Sequence, residues 1–390
     1  MLFWFLSTTC RAEVDSLQVC LPCNEIQKDS SLALLANKWK SGDLKILHLG
    51  DSHVQIGHFS GEIKRLLQAK NSGIHFPYPL AKSVDGRLFK TKALGNWTGV
   101  SVLKPASGIN ISLTGYAVST RDISANIQWI AKDSLLSFRR VRVWTESDSC
   151  ALRPDLGSYF QVTQVQQQGN LRFIDFQSNH PVNQFTLSLR KVGIGDQFTL
   201  HGIELLREEK GIEYIDLGVS GAQFTHLKSR ANLVLDQLKI LQLDLIICSF
   251  GTNEAYNANW ESQSYKKSWQ VFIQEIQAIS PQTVFLLTSP PDTRSQNRVP
   301  KHQQEVIHVL AETKAPFYDL NAAMGGLGSS KDWVKKGYFL KDQLHLTKDG
   351  YHLQAKLFAL ALFKTWGDQA SYENLQKQVN QHIISVGIPK

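Results

Sequence analysis

Ser52 sits in the run Gly50-Asp51-Ser52-His53, directly after a short apolar stretch. Far downstream, Asp342 and His345 stand three residues apart in Asp342-Gln343-Leu344-His345. Transfer of an acyl group requires a nucleophile, a base, a group that holds the base in one tautomer, and donors for the developing oxyanion. Ser52 has the chemistry of the nucleophile and His345 that of the base. A carboxylate one turn away, at Asp342, can reach the imidazole within a single loop. Two further runs supply donors. Gly218-Val219-Ser220-Gly221-Ala222 offers the Gly221 N–H without a side chain in the way, and Gly251-Thr252-Asn253-Glu254 offers the Asn253 amide. With the N–H of Ser52, these make a three-donor oxyanion hole.

Each residue also has a plainer reading. Ser52 suits the cap of a helix, and Asp51 suits a turn. Ser220 is a rival nucleophile, but Gly-x-Ser-x-Gly calls for glycine where this chain has Ala222. Glu254 lines the pocket or pairs with a surface cation. His48, His53 and His58 recur every five residues, which matches neither one helix face nor one strand face, so they read as unrelated side chains and not as metal ligands. No cofactor or metal is expected.

The elements that must carry these residues alternate in kind. LKILHL (44–49) reads as a buried strand, followed by a helix with Ile63, Leu66 and Leu67. After about residue 205, IEYIDLG, LDLIICSFG, TVFLLTS and APFYDL read as strands. QFTHLKSRANLVLDQLKIL, SYKKSWQVFIQEIQAIS and KDGYHLQAKLFALALFKTW read as helices. Strand–helix alternation implies right-handed crossovers and a parallel sheet, here a flavodoxin-like three-layer α/β/α sandwich. Between Gly73 and Leu206 the pattern changes to short alternating runs such as ISLTG, RVRVWT, YFQVTQV and QFTLSLR, the signature of an antiparallel, jelly-roll-like β-sandwich. The expected organisation is therefore a catalytic α/β domain made of residues 13–72 and 207–390, interrupted by an all-β domain at 73–206. Trp97 and Trp144 within it are candidate sugar-stacking platforms, although core packing is the commoner use of such rings.

The 390 residues are 42% hydrophobic and 19% charged, a globular balance. The net charge of +8 comes from scattered Lys and Arg, which speaks against a nucleic-acid tract. No run approaches the length of a membrane span. The first twelve residues, MLFWFLSTTCRA, read as a short signal segment. Cys248 lies in an apolar strand as a core thiol, whereas Cys20 and Cys23 can pair with each other or with Cys150.

Taken in order, the Ser52, Gly221, Asn253 and Asp342/His345 blocks resemble the SGNH (GDSL-type) hydrolase superfamily. The details GDSH, GAQ, GTNEA and DQLHLTKDGY resemble bacterial peptidoglycan O-acetylesterases, whose catalytic fold a carbohydrate-binding-module-like β domain also interrupts. That resemblance implies a metal-independent serine esterase of the periplasm or the secreted space. Its partner would be an O-acetylated glycan, with peptidoglycan muramic acid the implied substrate. A lipase or thioesterase, an acetyl-xylan-type esterase, an acetyl-transferring enzyme and a non-catalytic glycan-binding protein on the same scaffold stay open at this point. The oligomeric state is open too.

Overall fold

The protein is described from a computed structural model covering residues 17, 19–69, 73–84, 88–146, 152–192, 197–206, 210–295 and 299–385. The signal-like segment 1–12 and Cys150 lie outside the described residues.

Apolar runs with side chains pointing alternately to two faces need cover on both. In Lys45–Gly50, Ile46 faces one buried cluster, with Leu245, Ile247, Leu286 and the long helix Lys348–Trp366. Leu47 and Leu49 face a second cluster with Ile246, Cys248 and Leu287, under the helices Phe224–Arg230, Ser262–Ile279 and Pro300–Glu312. The sheet these strands build runs Ile26–Gln27, Phe317–Tyr318, Val284–Thr288, Leu245–Ser249, Lys45–Gly50, Glu213–Gly218. All pairings are parallel except that of Ile26–Gln27, a two-residue antiparallel edge. Counted along the chain, the five parallel strands lie in the order 2-1-3-4-5, as in flavodoxin-like sheets. The order reverses between Lys45–Gly50 and Leu245–Ser249, and the crevice beyond their carboxyl ends is where such sheets bind ligands.

The stretch between the first two parallel strands forms two antiparallel sheets. One contains Phe160–Gln168, Leu171–Val182, Phe138–Glu146, Phe198–Leu206, Tyr116–Thr120 and Thr98–Ser101 in that order, with Gly73–His75 paired to Phe198–Leu206. The other contains Phe89–Leu94, Asn126–Ala131, Gln184–Lys191 and Leu152–Asp155. Their aromatic filling, Trp129 with Phe89, Phe138 and Phe185, belongs to the same continuous cluster as one face of the parallel sheet. Trp144 is fully buried, donates its indole N–H to Glu204 and packs edge-on to Phe173. It is a core ring and not a stacking platform. Trp97 packs partly buried against Phe198 and donates to the Leu94 carbonyl.

Two local expectations differ from the structure. ISLTG (111–115) forms no strand. The N–H groups of Ile111 and Leu113 are taken by the side chains of Asn232 and Gln237, tying this loop to the α/β part instead of to a sheet neighbour. The continuous helix expected at 223–241 is two helices, Phe224–Arg230 and Val234–Leu241, because Ala231 leaves helical geometry where Asn232 turns to that loop. The helix expected around Ile63 and Leu66 is His58–Leu66; before it, a four-residue helix Ser52–Gln55 ends ahead of Gly57, whose φ of 76° lies in the left-handed region. Cys20 and Cys23 form a disulfide with each other, and the buried Cys248 thiol is free, its pKa pushed up by burial. Among the described residues no helix is long and apolar enough to cross a membrane.

Candidate active site

The strand Lys45–Gly50 delivers Ser52 to the sheet edge as the first residue of a four-residue helix. The turn is tight because glycines stand on both sides of it. A Cβ on Gly50 would come within 2.3 Å of Val54 Cγ2, and one on Gly218 within 2.3 Å of the Gln55 backbone nitrogen and 2.6 Å of the Asp51 carbonyl. Asp51 caps the helix, its Oδ1 accepting the His53 N–H at 2.9 Å. The capping role weighed for Ser52 thus falls to its neighbour, and the Ser52 side chain is left for another use.

That side chain meets His345. Ser52 Oγ lies 2.9 Å from His345 Nε2, and His345 Nδ1 lies 2.7 Å from Asp342 Oδ2. The second oxygen of Asp342 accepts the N–H groups of Leu344 and His345, each at 3.0 Å. Gln343 between them adopts φ 53°, a left-handed conformation that a non-glycine residue holds only under constraint. The constraint is visible: its carbonyl accepts the Arg294 N–H, and the His345 carbonyl accepts that of Leu340. Partial burial raises the Asp342 pKa, but hydrogen bonds from the His345 ring and the two N–H groups outweigh it, leaving the carboxyl below its ordinary range. Asp342 is therefore ionised at neutral pH and fixes His345 with Nε2 toward Ser52.

Gly221 adopts φ 80°, and only Leu103, at 3.5 Å, stands within 4 Å of where its Cβ would be. Its N–H and that of Ser52 donate to no acceptor among the described residues. Asn253 sits in the short helix Thr252–Ala255 after the third parallel strand. Its Nδ2 donates to the Ala222 carbonyl at 2.9 Å and makes a long 3.4 Å contact to Asp51 Oδ2.

A buried layer behind these residues was not visible in the sequence. His53 packs 5.4 Å, ring to ring, from His345 and shares a 2.9 Å hydrogen bond with the Tyr351 hydroxyl. Burial first, then the neighbouring His345, push its pKa down to about 3, so it stays neutral. Asp51 is pushed up to about 7 by burial, against the pull of the His53 N–H. Glu254, buried and accepting the Phe224 N–H at 2.8 Å, is pushed up to about 8 by burial, with the nearby Asp51 adding to the rise. It pairs with no cation among the described residues. The only signal for this layer was adjacency: His53 follows Ser52, Glu254 follows Asn253. Ser220 is exposed on the neighbouring loop, and its backbone N–H donates to the Gln55 side chain. His48, by contrast, lies inside the sheet between Tyr214 and Ser249.

Residues 193–353 match the family model of the GDSL-like lipase/acylhydrolases. The match holds Gly221, Asn253, Asp342 and His345 but begins after Ser52, which the β-rich stretch separates from them in sequence. The chain thus carries a GDSL-like lipase/acylhydrolase domain and is an ester-hydrolysing enzyme. Its fold is that of the SGNH hydrolases: a solved peptidoglycan O-acetylesterase superposes with a TM-score of 0.69 at 22% identity, over 88% of this chain and 98% of that one. A family two carbohydrate esterase from Cellvibrio japonicus aligns at 11% identity over 71% of this chain and 99% of that one, with a TM-score of 0.29. No curated protein sequence matches the chain.

Proposed function

We propose that Ser52, His345 and Asp342 are the catalytic triad of a serine esterase that removes O-acetyl groups from a cell-envelope glycan, with peptidoglycan muramic acid as the substrate. The observation that carries this reading is the unbroken hydrogen-bond chain from Ser52 Oγ through His345 to Asp342 at the ligand-binding edge of the sheet. Ser52 Oγ attacks the acetyl carbonyl carbon as His345 Nε2 takes its proton. The tetrahedral oxyanion is held by the N–H groups of Ser52 and Gly221 and by the Asn253 amide. Collapse breaks the bond to the sugar oxygen, which leaves with the proton from His345, and acetyl-Ser52 remains. Water then attacks the acetyl-enzyme as His345 accepts its proton, and acetate departs while Ser52 recovers its own. No step calls for a metal or cofactor.

The glycan and its acetyl group are supported by likeness to a peptidoglycan O-acetylesterase along nearly its whole length. The Cys20–Cys23 disulfide favours a periplasmic or secreted setting. Residues 73–206 are read as an inserted β domain and 13–72 with 207–390 as the catalytic one, since the antiparallel sheets fall between the first two parallel strands. Ser52→Ala is expected to lower p-nitrophenyl acetate turnover by about 10⁴-fold or more with the circular dichroism spectrum unchanged. Retained turnover, or equal loss in Ser220→Ala, would sink the triad. Mass spectrometry of acetate release from O-acetylated peptidoglycan beside acetylated xylan tests the substrate.

A further inference from the structure

The Gly221 N–H stands in a turn that projects beyond the edge strand of the parallel sheet, Glu213–Gly218. The turn is Val219–Ala222, closed by the Ala222 N–H donating to the Val219 carbonyl at 3.0 Å. Gly221 is its third residue, and the φ of 80° there is what a type II turn requires. The Val219 N–H donates to the Gly50 carbonyl at 3.1 Å, so the turn starts anchored to the sheet. Its outer corner has no strand beside it. There the Ser220 N–H reaches back to Gln55, three residues beyond the nucleophile, and donates to its Oε1 at 2.5 Å.

Gln55 is itself held at the other end of its amide. Its Nε2 donates to Ser83 Oγ at 2.9 Å, and Ser83 shares a 3.2 Å hydrogen bond with the hydroxyl of the buried Tyr116. With the nitrogen committed to Ser83, the oxygen is left facing Ser220, and only the oxygen can accept an N–H. Ser83 and Tyr116 belong to the stretch between the first two parallel strands, which also backs the turn by packing. A Cβ on Gly115 would come within 2.3 Å of Val219 Cγ2, and Leu103 stands against Gly221.

We propose that Gln55 is a positioning residue of the oxyanion hole, which holds the Gly221 N–H in place through Ser220 on an anchor supplied by the antiparallel part of the chain. The inference rests on the proposed roles of Ser52 as nucleophile and Gly221 as oxyanion donor. It gives the β-rich stretch a part in the chemical step without contact with the reacting atoms. Loss of a whole oxyanion donor costs about 10²–10³-fold in kcat, and a donor left to wander costs part of that.

Gln55→Ala removes the acceptor and should lower kcat/KM for p-nitrophenyl acetate by about tenfold or more, with the circular dichroism spectrum unchanged. Adding Ser220→Pro separates positioning from a general structural role. Proline suits the second place of a type II turn, presets its φ, and has no N–H that needs an acceptor. The Gln55→Ala/Ser220→Pro double variant should therefore return to within about threefold of the native rate. Ser83→Ala, which frees only the anchor, should lose about threefold. A native-like rate in Gln55→Ala overturns the proposal. So does a loss that the proline leaves unrestored, because Gln55 would then act on the Ser52 helix or on the fold. A native-like rate in Ser83→Ala overturns the anchor. If Gln55→Ala is too unstable to assay, the double variant and Ser83→Ala decide by the same criteria. If Ser52→Ala silences the enzyme while Gln55→Ala matches the native protein, the Gln55 assignment alone fails. If Ser52→Ala retains turnover, the triad itself is wrong.

Discussion

At the scale of single residues, the burial of two carboxyl groups behind Ser52 has a measurable consequence. Asp51 and Glu254 hold their protons to about pH 7 and 8, whereas in the unfolded chain they release them near pH 4. A raised folded pKa means that the folded state binds more protons, so this contribution is fully present below pH 4 and is lost as pH rises to about 8. Glu254→Gln keeps the oxygen that accepts the Phe224 N–H and removes the titrating proton. Its melting temperature should match that of the native protein near pH 4 and exceed it by a few degrees at pH 9, with the gap opening between pH 5 and 8. A gap that does not change with pH would mean that Glu254 is ionised in the fold. Asp51 is expected to keep titrating in that variant, so some slope remains.

At the scale of elements, the position of Ser52 depends on how closely the second parallel strand approaches the turn after the first. Gly218 ends that strand with its Cα hydrogen where any Cβ would strike the backbone of Gln55 and Asp51. Backbone cannot rotate aside as a side chain can, so Gly218→Ala must move either the strand end or the Ser52–Gln55 helix. A displacement near 1 Å costs about 10²-fold in rate when reacting groups are otherwise aligned. The expected outcome is therefore a kcat for p-nitrophenyl acetate down by about 10²-fold with KM little changed, and a lower melting temperature. Unchanged kcat would show that the turn tolerates the shift. The same packing explains why the chain turns at Gly57: four residues carry Ser52 out of the sheet, and the chain must turn before His58–Leu66 can cover the Phe59 and Ile63 side of the core.

At the scale of the whole molecule, the antiparallel sheets and the parallel sheet share one unbroken hydrophobic cluster, from Trp129 and Phe185 through Val219 and Phe224 to Trp269 and Phe285. Hydrogen bonds from the Ile111 and Leu113 N–H groups to the side chains of Asn232 and Gln237, and from the Arg230 guanidinium to the Val102 carbonyl, cross the same seam. Apolar cover removed from one part exposes the other, so separate unfolding is disfavoured. Calorimetry should show a single transition, coincident by far-ultraviolet and near-ultraviolet circular dichroism. Two transitions separated by ten degrees or more would mean that the β part folds and melts as an independent unit.

How much of this could be read in the residues follows from which interactions are local. The parallel strands are legible because strands covered on both faces must be apolar throughout, as in LKILHL and LDLIICSFG. The antiparallel region is legible because a half-covered strand alternates. The exceptions are places where a long-range hydrogen bond replaced a local one: ISLTG gives its N–H groups to Asn232 and Gln237, and the helix at 223–241 breaks for the same contact. Chemistry shows a similar division. Ser52, Gly221, Asn253, Asp342 and His345 are nameable because the chemistry of acyl transfer restricts residue types and the strand ends restrict places. Only the fold could set Ser52 Oγ 2.9 Å from His345 across 293 residues of chain. Only the fold could bury Asp51, His53 and Glu254 so that their proton affinities move, because desolvation depends on everything packed around a group and not on its neighbours in sequence.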